Sequence, residues 1–300
     1  MFNLPSTRKS KDIIMTQEML SRRAALTGLG LASMGAAALG TTDASAKTNP
    51  AAPLAGKVAI VTGARANLGR GFAERLAQMG ADVVVHYHRA ETQAEAEQTA
   101  QLVRDAGRRA VLVQGDLGKS ATAVAMFDLA EAEFGGADIL VHTAGTIIKK
   151  PVADFIDAEF EQLLNDNTKT TFYAMREAAR RLRDDGRIIA VGTSLTAGAA
   201  PGYAVYGGTK APVEEFTRMM AKELGARRIT VNTIAPGPLD TSFFHAAETP
   251  QTVAFAAGLA AEGRLGTVAD VVPAMAALAL PEGQWTNGQT VFINGGYLTR

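Results

Sequence analysis

Seven short runs rich in valine and isoleucine recur at 57–61, 82–86, 110–113, 139–141, 187–191, 229–232 and 290–293, and every gap between them is long enough for a helix. Strands of that length joined by helical crossovers build a parallel sheet with helices on both faces, an α/β fold. No long Pro/Ser linker, repeat or charge block interrupts residues 54–300, so one domain is the simpler organisation. The first strand leads through a turn, Thr62-Gly63-Ala64-Arg65-Ala66-Asn67-Leu68-Gly69, into a helix expected over 69–79. A turn that brings backbone N–H groups and a helix N-terminus against a pyrophosphate needs residues that are small or tolerate positive φ. Gly63 and Gly69 meet that need directly. Asn67 is the non-glycine residue type that best tolerates the left-handed region.

The first 46 residues differ in composition from the rest. Arg8, Lys9, Lys11 and the pair Arg22-Arg23 precede an uncharged Gly/Ala-rich run at 24–40, and Ala44-Ser45-Ala46 follows. This is the order of a cleavable export signal. The segment at 21–26 resembles a bacterial twin-arginine signal, with Ala25 where phenylalanine is usual. The run is short and glycine-rich for a membrane span. An uncleaved anchor and a disordered cytoplasmic extension are the alternatives. The expected layout is a signal at 1–46 and a folded domain at 47–300, with a periplasmic mature protein and no stable membrane anchor after cleavage; the alternative location is the cytoplasm.

Charge and cysteine content exclude several function classes. The chain carries 30 Lys+Arg against 30 Asp+Glu, and removal of 1–46 leaves 25 against 27. A near-neutral domain offers no electrostatic case for nucleic acid or anionic lipid. With no cysteine there is no disulfide framework, thiolate metal site or cysteine nucleophile. The histidines, at 86, 88, 142 and 245, show no metal-ligand spacing, so no metal is expected.

Further motifs follow the glycine-rich turn in a fixed order: Gly115-Asp116-Leu117 after the third strand, Ala144-Gly145 after the fourth, Asn167 in the next helix, Tyr206-x-x-x-Lys210, Pro236-Gly237 after the sixth strand, and Asn294-Gly295-Gly296 near the end. Together they resemble the short-chain dehydrogenase/reductase family over about 54–300. The resemblance implies a single Rossmann-type doubly wound sheet and a nicotinamide dinucleotide at the turn. It further implies cofactor contacts from Gly63, Arg65, Asn67, Leu68, Gly69, His88, Arg89, Asp116, Leu117, Ala144, Gly145, Pro236 and Gly237, with Tyr206 and Lys210 shared between cofactor and catalysis. Dimers and tetramers are usual in the family, so a homodimer or homotetramer is expected. At 142–145 relatives often carry two asparagines where this chain has His142-Thr143, which cannot make the same amide hydrogen bonds.

Tyr206 and Lys210 stand at i and i+4, one face of a helix. A free phenol titrates near 10, and a neighbouring ammonium favours the phenolate. Gly207, Gly208 and Pro212 are poor helix-interior residues, so the helix is expected to be regular only from about Thr209. Tyr203 has Gly207 rather than a lysine four residues later. The resemblance also implies a hydroxyl that orients the substrate oxygen. Spacing favours Thr193 and residue type favours Ser194. Asn167 matches the residue that orders a relay water beside the lysine.

The second strand ends His86-Tyr87-His88-Arg89-Ala90, with no acid before Glu91. An acid there would accept from a ribose 2′-OH, whereas Arg89 can grip a 2′-phosphate. NADP(H) is therefore the expected cofactor, with NAD(H) possible, and the stretch resembles that of pteridine reductases. The expected activity is interconversion of a small-molecule carbonyl and alcohol; a pteridine-type reductase and a non-catalytic NADP-binding sensor are alternatives. Residues 238–266, with Leu239, Phe243, Phe244, His245 and Phe255, are expected to form a mobile, mainly apolar flap over the site, or else ordinary helix packing.

Overall fold

The computed structural model describes residues 52–299; the expected signal at 1–46 lies outside the described residues. In chain order the elements are β1 (Val58–Thr62), α1 (Asn67–Gln78), β2 (Asp82–Tyr87), α2 (Gln93–Asp105), β3 (Ala110–Gln114), α3 (Ser120–Phe134), β4 (Ala137–His142), α4 (Asp157–Leu163), α5 (Thr170–Arg181), β5 (Leu182–Val191), α6 (Ala204–Lys210), α7 (Pro212–Glu223), β6 (Thr230–Pro236), α8 (Ser242–His245), α9 (Pro250–Leu259), α10 (Val268–Ala279) and β7 (Thr290–Ile293). All seven expected strands form, and they pair in parallel in the order β3-β2-β1-β4-β5-β6-β7. The order reverses between β1 and β4, and in such sheets the binding crevice opens there, at the carboxyl ends of the strands.

Alternate strand residues feed two cores. Val61, Val85 and Ile139 pack with Phe72 and Leu76 of α1, Val103 of α2 and Met275 of α10. Ile60, Val84, Leu140 and Ile188 pack on the other face with Met126 and Phe127 of α3, Met175 of α5 and Val213 of α7. Both faces of the sheet are thereby covered, as a parallel sheet requires. Among the described residues no helix is long and apolar enough to cross a membrane.

Two elements differ from expectation. β5 starts at Leu182, five residues before its apolar run, and its register against β4 shifts between Ala137 and Ile139. The buried carboxylate of Asp138 accounts for this. It accepts from Val58 N–H at 2.9 Å, Lys57 Nζ at 3.1 Å and Arg183 at 2.9 Å, which ties the polar start of β5 to the sheet. The expectation that the Tyr206 helix becomes regular only near Thr209 is also corrected. α6 is helical from Ala204, with Gly207 N–H bonded to the Tyr203 carbonyl at 2.8 Å and Ala211 N–H to the Gly207 carbonyl at 2.9 Å. Pro212 is the first residue of α7, where a missing N–H costs no intrahelical bond.

Candidate active site

A cleft of about 720 Å³ opens at the carboxyl ends of the strands. Its walls include Gly63, Arg65, Asn67, Leu68 and Gly69 from the first turn, His88 and Arg89 after β2, Asp116 and Leu117 after β3, Ala144 and Gly145 after β4, Thr193 and Ser194 after β5, Tyr206 and Lys210 of α6, and Pro236 and Gly237 at the end of β6. Of the catalytic and cofactor-contact candidates, only Asn167 lies behind the wall rather than on it.

The first turn has the shape its residues predict. Gly63 has φ 61° and Asn67 φ 49°, so the asparagine takes the left-handed conformation of the glycine it replaces. A Cβ on Gly69 would stand 2.5 Å from the Gly63 carbonyl, so only glycine lets α1 come this close to the turn. At His142-Thr143 other hydrogen bonds stand in for the amide bonds of the missing asparagines. Thr62 Oγ1 accepts from Thr143 N–H at 3.0 Å and Ala144 N–H at 3.3 Å, while Thr143 Oγ1 donates to the Thr62 carbonyl at 2.5 Å. Thr62 Oγ1 also meets His142 Nδ1 at 3.0 Å. Burial pushes this histidine down to about 3, and its Nε2 has no hydrogen-bond partner.

His86 supplies a bolt that sequence reasoning missed. Its Nδ1 accepts from Gly63 N–H at 3.2 Å, and its Nε2 lies 3.0 Å from the Gly115 carbonyl, joining the glycine turn to the turn after β3. This pattern needs a neutral ring with the proton on Nε2; burial pushes the ring down to about 4. The available signal was its position as the buried penultimate residue of a strand ending at the cleft. Arg65 and Arg89 differ sharply. Arg65 is ion-paired with Glu95, whereas Arg89 is exposed and its guanidinium has no acidic partner among the described residues. His88 is also exposed, 4.0 Å from Asp116.

At the other end of the cleft, Tyr206 and Thr193 are both buried on the wall, and the Thr193 side chain is near enough to lower the phenol's pKa slightly. Ser194 faces elsewhere: its hydroxyl donates to the Ala235 carbonyl at 3.0 Å and accepts from Asn294 at 3.2 Å. Lys210 donates to the Val191 carbonyl at 2.8 Å, and burial pulls it down to about 8. The expected lowering of the phenol by the ammonium is not the dominant effect. Burial pushes Tyr206 up to about 12, against a smaller lowering from Thr193.

Asn167 sits in a π-helical turn, Leu164–Lys169, between α4 and α5. Its Oδ1 accepts from Thr146 N–H at 2.9 Å, and its Nδ2 donates to the Thr146 carbonyl and to Thr209 Oγ1, both at 3.1 Å. A Cβ on Gly145 would stand 2.8 Å from that Oδ1 and 3.3 Å from Lys210 Nζ, so the glycine is what lets the two groups converge. In the flap region, Leu239, Phe243, Phe244 and Phe255 line the cleft. His245 instead meets Asp240 at 2.7 Å, outside it.

This arrangement has counterparts. A family model described as enoyl-(acyl carrier protein) reductase matches residues 63–298. The chain belongs to the short-chain dehydrogenase/reductase family. Among its relatives is an NADPH-dependent aldehyde reductase-like chloroplast protein of Arabidopsis thaliana, 38% identical over 85% of this chain and 98% of that protein. Another short-chain relative is a hydroxynaphthalene reductase-like protein of Metarhizium brunneum, 35% identical over 82% of this chain and 96% of that one. A structure described as a dehydrogenase from Burkholderia cenocepacia with bound NADP superposes with a TM-score of 0.80 at 42% identity, covering 82% of this chain and 95% of its own. An angucycline C-6 ketoreductase, also with bound NADP, gives 0.77 at 31%, covering 82% and 97%.

Proposed function

We propose that this short-chain dehydrogenase/reductase uses NADP(H) to interconvert a carbonyl and an alcohol on a bulky apolar body. The observation that carries the reading is that buried Tyr206, Lys210 and Thr193 stand together on the wall of the same cleft that the glycine turn closes at its far end. The residues fit the cofactor: positive φ at Gly63 and Asn67 and the missing Cβ of Gly69 leave a cradle for a pyrophosphate. Arg89 and His88 would hold the 2′-phosphate, Asp116 and Leu117 the adenine side, and Ala144, Gly145, Pro236 and Gly237 the nicotinamide side. The NADP in two solved relatives and the NADPH dependence in the name of a third support the same choice.

When bound, the reduced cofactor supplies hydride to the carbonyl carbon. Tyr206, kept protonated by burial, donates its phenol proton to the carbonyl oxygen as negative charge develops there, since an alkoxide is a stronger base than a phenolate. The Thr193 hydroxyl orients that oxygen, and Ser194, committed to Ala235 and Asn294, supports the strand end. Lys210, pulled to about 8, exchanges protons near neutrality and can restore the phenol. Asn167 anchors the loop at Thr146 and keeps one Oδ1 lone pair for a relay water. The aromatic lining from Tyr203, Phe243, Phe244 and Phe255 supports a flat, apolar substrate body. Assembly as a homodimer or homotetramer belongs to the same proposal, supported by exposed Phe160 and Phe172 on α4 and α5.

The test is NADPH consumption with a panel of aromatic ketones and aldehydes, wild type against Tyr206→Phe. The variant keeps the ring but loses the proton, so turnover should fall at least about 10²-fold with NADPH affinity retained. Near-normal turnover of a substrate that the wild type reduces would refute the assignment.

A further inference from the structure

Glu248 lies in the segment between α8 and α9, on the substrate side of the cleft, with its side chain only 3% exposed. A carboxylate buried against an aromatic wall is costly unless its oxygens are satisfied by charged or polar donors. Here they are. The Tyr203 phenol donates to one oxygen and Lys149 Nζ to the other at 2.5 Å. The Lys149 ammonium also stands 5.0 Å over the Tyr203 ring. These partners come from three separate segments: Lys149 from the loop after β4, Tyr203 from the residue that precedes α6, and Glu248 from the flap.

Tyr203 links this cluster to the chemistry. Its ring packs edge-on against Tyr206, centroids 6.0 Å apart, and its carbonyl accepts the Gly207 N–H that opens α6. The Lys149 segment is held to the same place by a 3.0 Å bond from Lys150 N–H to the Gly202 carbonyl. At its other end the flap meets the glycine turn through Asn67 Nδ2 and Ser242 Oγ at 3.2 Å, an exposed contact.

We infer that Glu248, paired with Lys149, is a positioning residue that holds the Tyr203 ring against Tyr206 and fastens the flap over the substrate end, so that it sets the enzyme's preference for bulky carbonyls. This rests on the oxidoreductase reading above. Its test has one arm that does not depend on turnover. Hydrogen exchange of the full-length protein is compared for wild type, Glu248→Gln, Lys149→Met and the double variant, with steady-state kinetics on a two-ring aromatic ketone and on a small aldehyde. Exchange across 242–259 should rise about tenfold or more in each single variant, and the double variant should be no worse than either. Exchange in β1 and α1 should be unchanged. KM for the two-ring ketone should rise roughly tenfold while the small aldehyde changes little. Unchanged flap exchange, or equal losses on both substrates, would overturn the inference. Faster flap exchange in a protein that reduces neither substrate would uphold the fastening and refute the oxidoreductase reading instead.

Discussion

Arg65 and Arg89 both line the cleft near the end of β2, yet Arg65 is spent on Glu95 and Arg89 is not. Spacing alone could not separate them, because the Glu95 pair joins residues thirty positions apart. If Arg89 grips the 2′-phosphate, Arg89→Asp should raise the dissociation constant for NADPH and leave that for NADH nearly unchanged. The site is open to solvent, so the shift in preference should be roughly tenfold rather than the larger effect of a buried pair. Titration of nicotinamide fluorescence measures both constants, and a wild-type preference for NADH would end the argument. Other single residues were legible to different degrees. Asn67 was, because few residue types suit positive φ. Thr193 and Ser194 were not separable, because both are hydroxyls and only the bond from Ser194 to the Ala235 carbonyl, 41 residues away, shows which hydroxyl is committed elsewhere.

His86, next to the end of β2, and His142, the last residue of β4, are buried histidines that remain neutral in the folded chain, pushed to about 4 and about 3. The strands themselves were readable from their apolar runs, but the bonds at their ends were not, because each joins residues far apart in sequence. These bonds have a consequence for stability. Below the ordinary histidine value of about 6.5, the unfolded chain binds protons that folded His86 and His142 refuse. Stability should therefore fall as pH drops from 6.5, by about 1.4 kcal/mol per pH unit per histidine once the unfolded ring is protonated, and His86 should stop contributing near pH 4. Urea midpoints at pH 7.5, 6 and 5 measure this in a range where most carboxylates stay ionised. His86→Asn should lower the stability at pH 7.5 and flatten the slope below 6.5. Equal midpoints for wild type at pH 7.5 and 5 would contradict the neutral assignments.

The cleft draws its walls from the first turn through to the flap, so no fragment of the chain contains the site. Sequence periodicity led to the parallel sheet because strand and helix lengths are local properties. The fastening of the flap through Lys149, Tyr203 and Glu248 stayed hidden, because those residues share no spacing rule. The dependence of the site on a completed fold bears on the N-terminal 46 residues, which lie outside the described residues. A site assembled from the ends of six strands exists only in a folded chain, and NADP is made in the cytoplasm. A protein exported unfolded would reach the far side of the membrane without it. The twin-arginine route carries folded proteins, and Arg22-Arg23 ahead of a weakly apolar run resembles its signal. We propose that the protein folds around its cofactor in the cytoplasm, is exported by that route, and begins near Lys47 once cleaved. Arg22→Lys together with Arg23→Lys should leave the uncleaved precursor in the cytoplasm, still able to bind NADPH because the proposed cofactor contacts lie at 63–237. Fractionation of the native host followed by mass measurement of the mature N-terminus reads out both parts, and full-length active protein confined to the cytoplasm of the wild-type strain would overturn the export proposal while leaving the chemistry untouched.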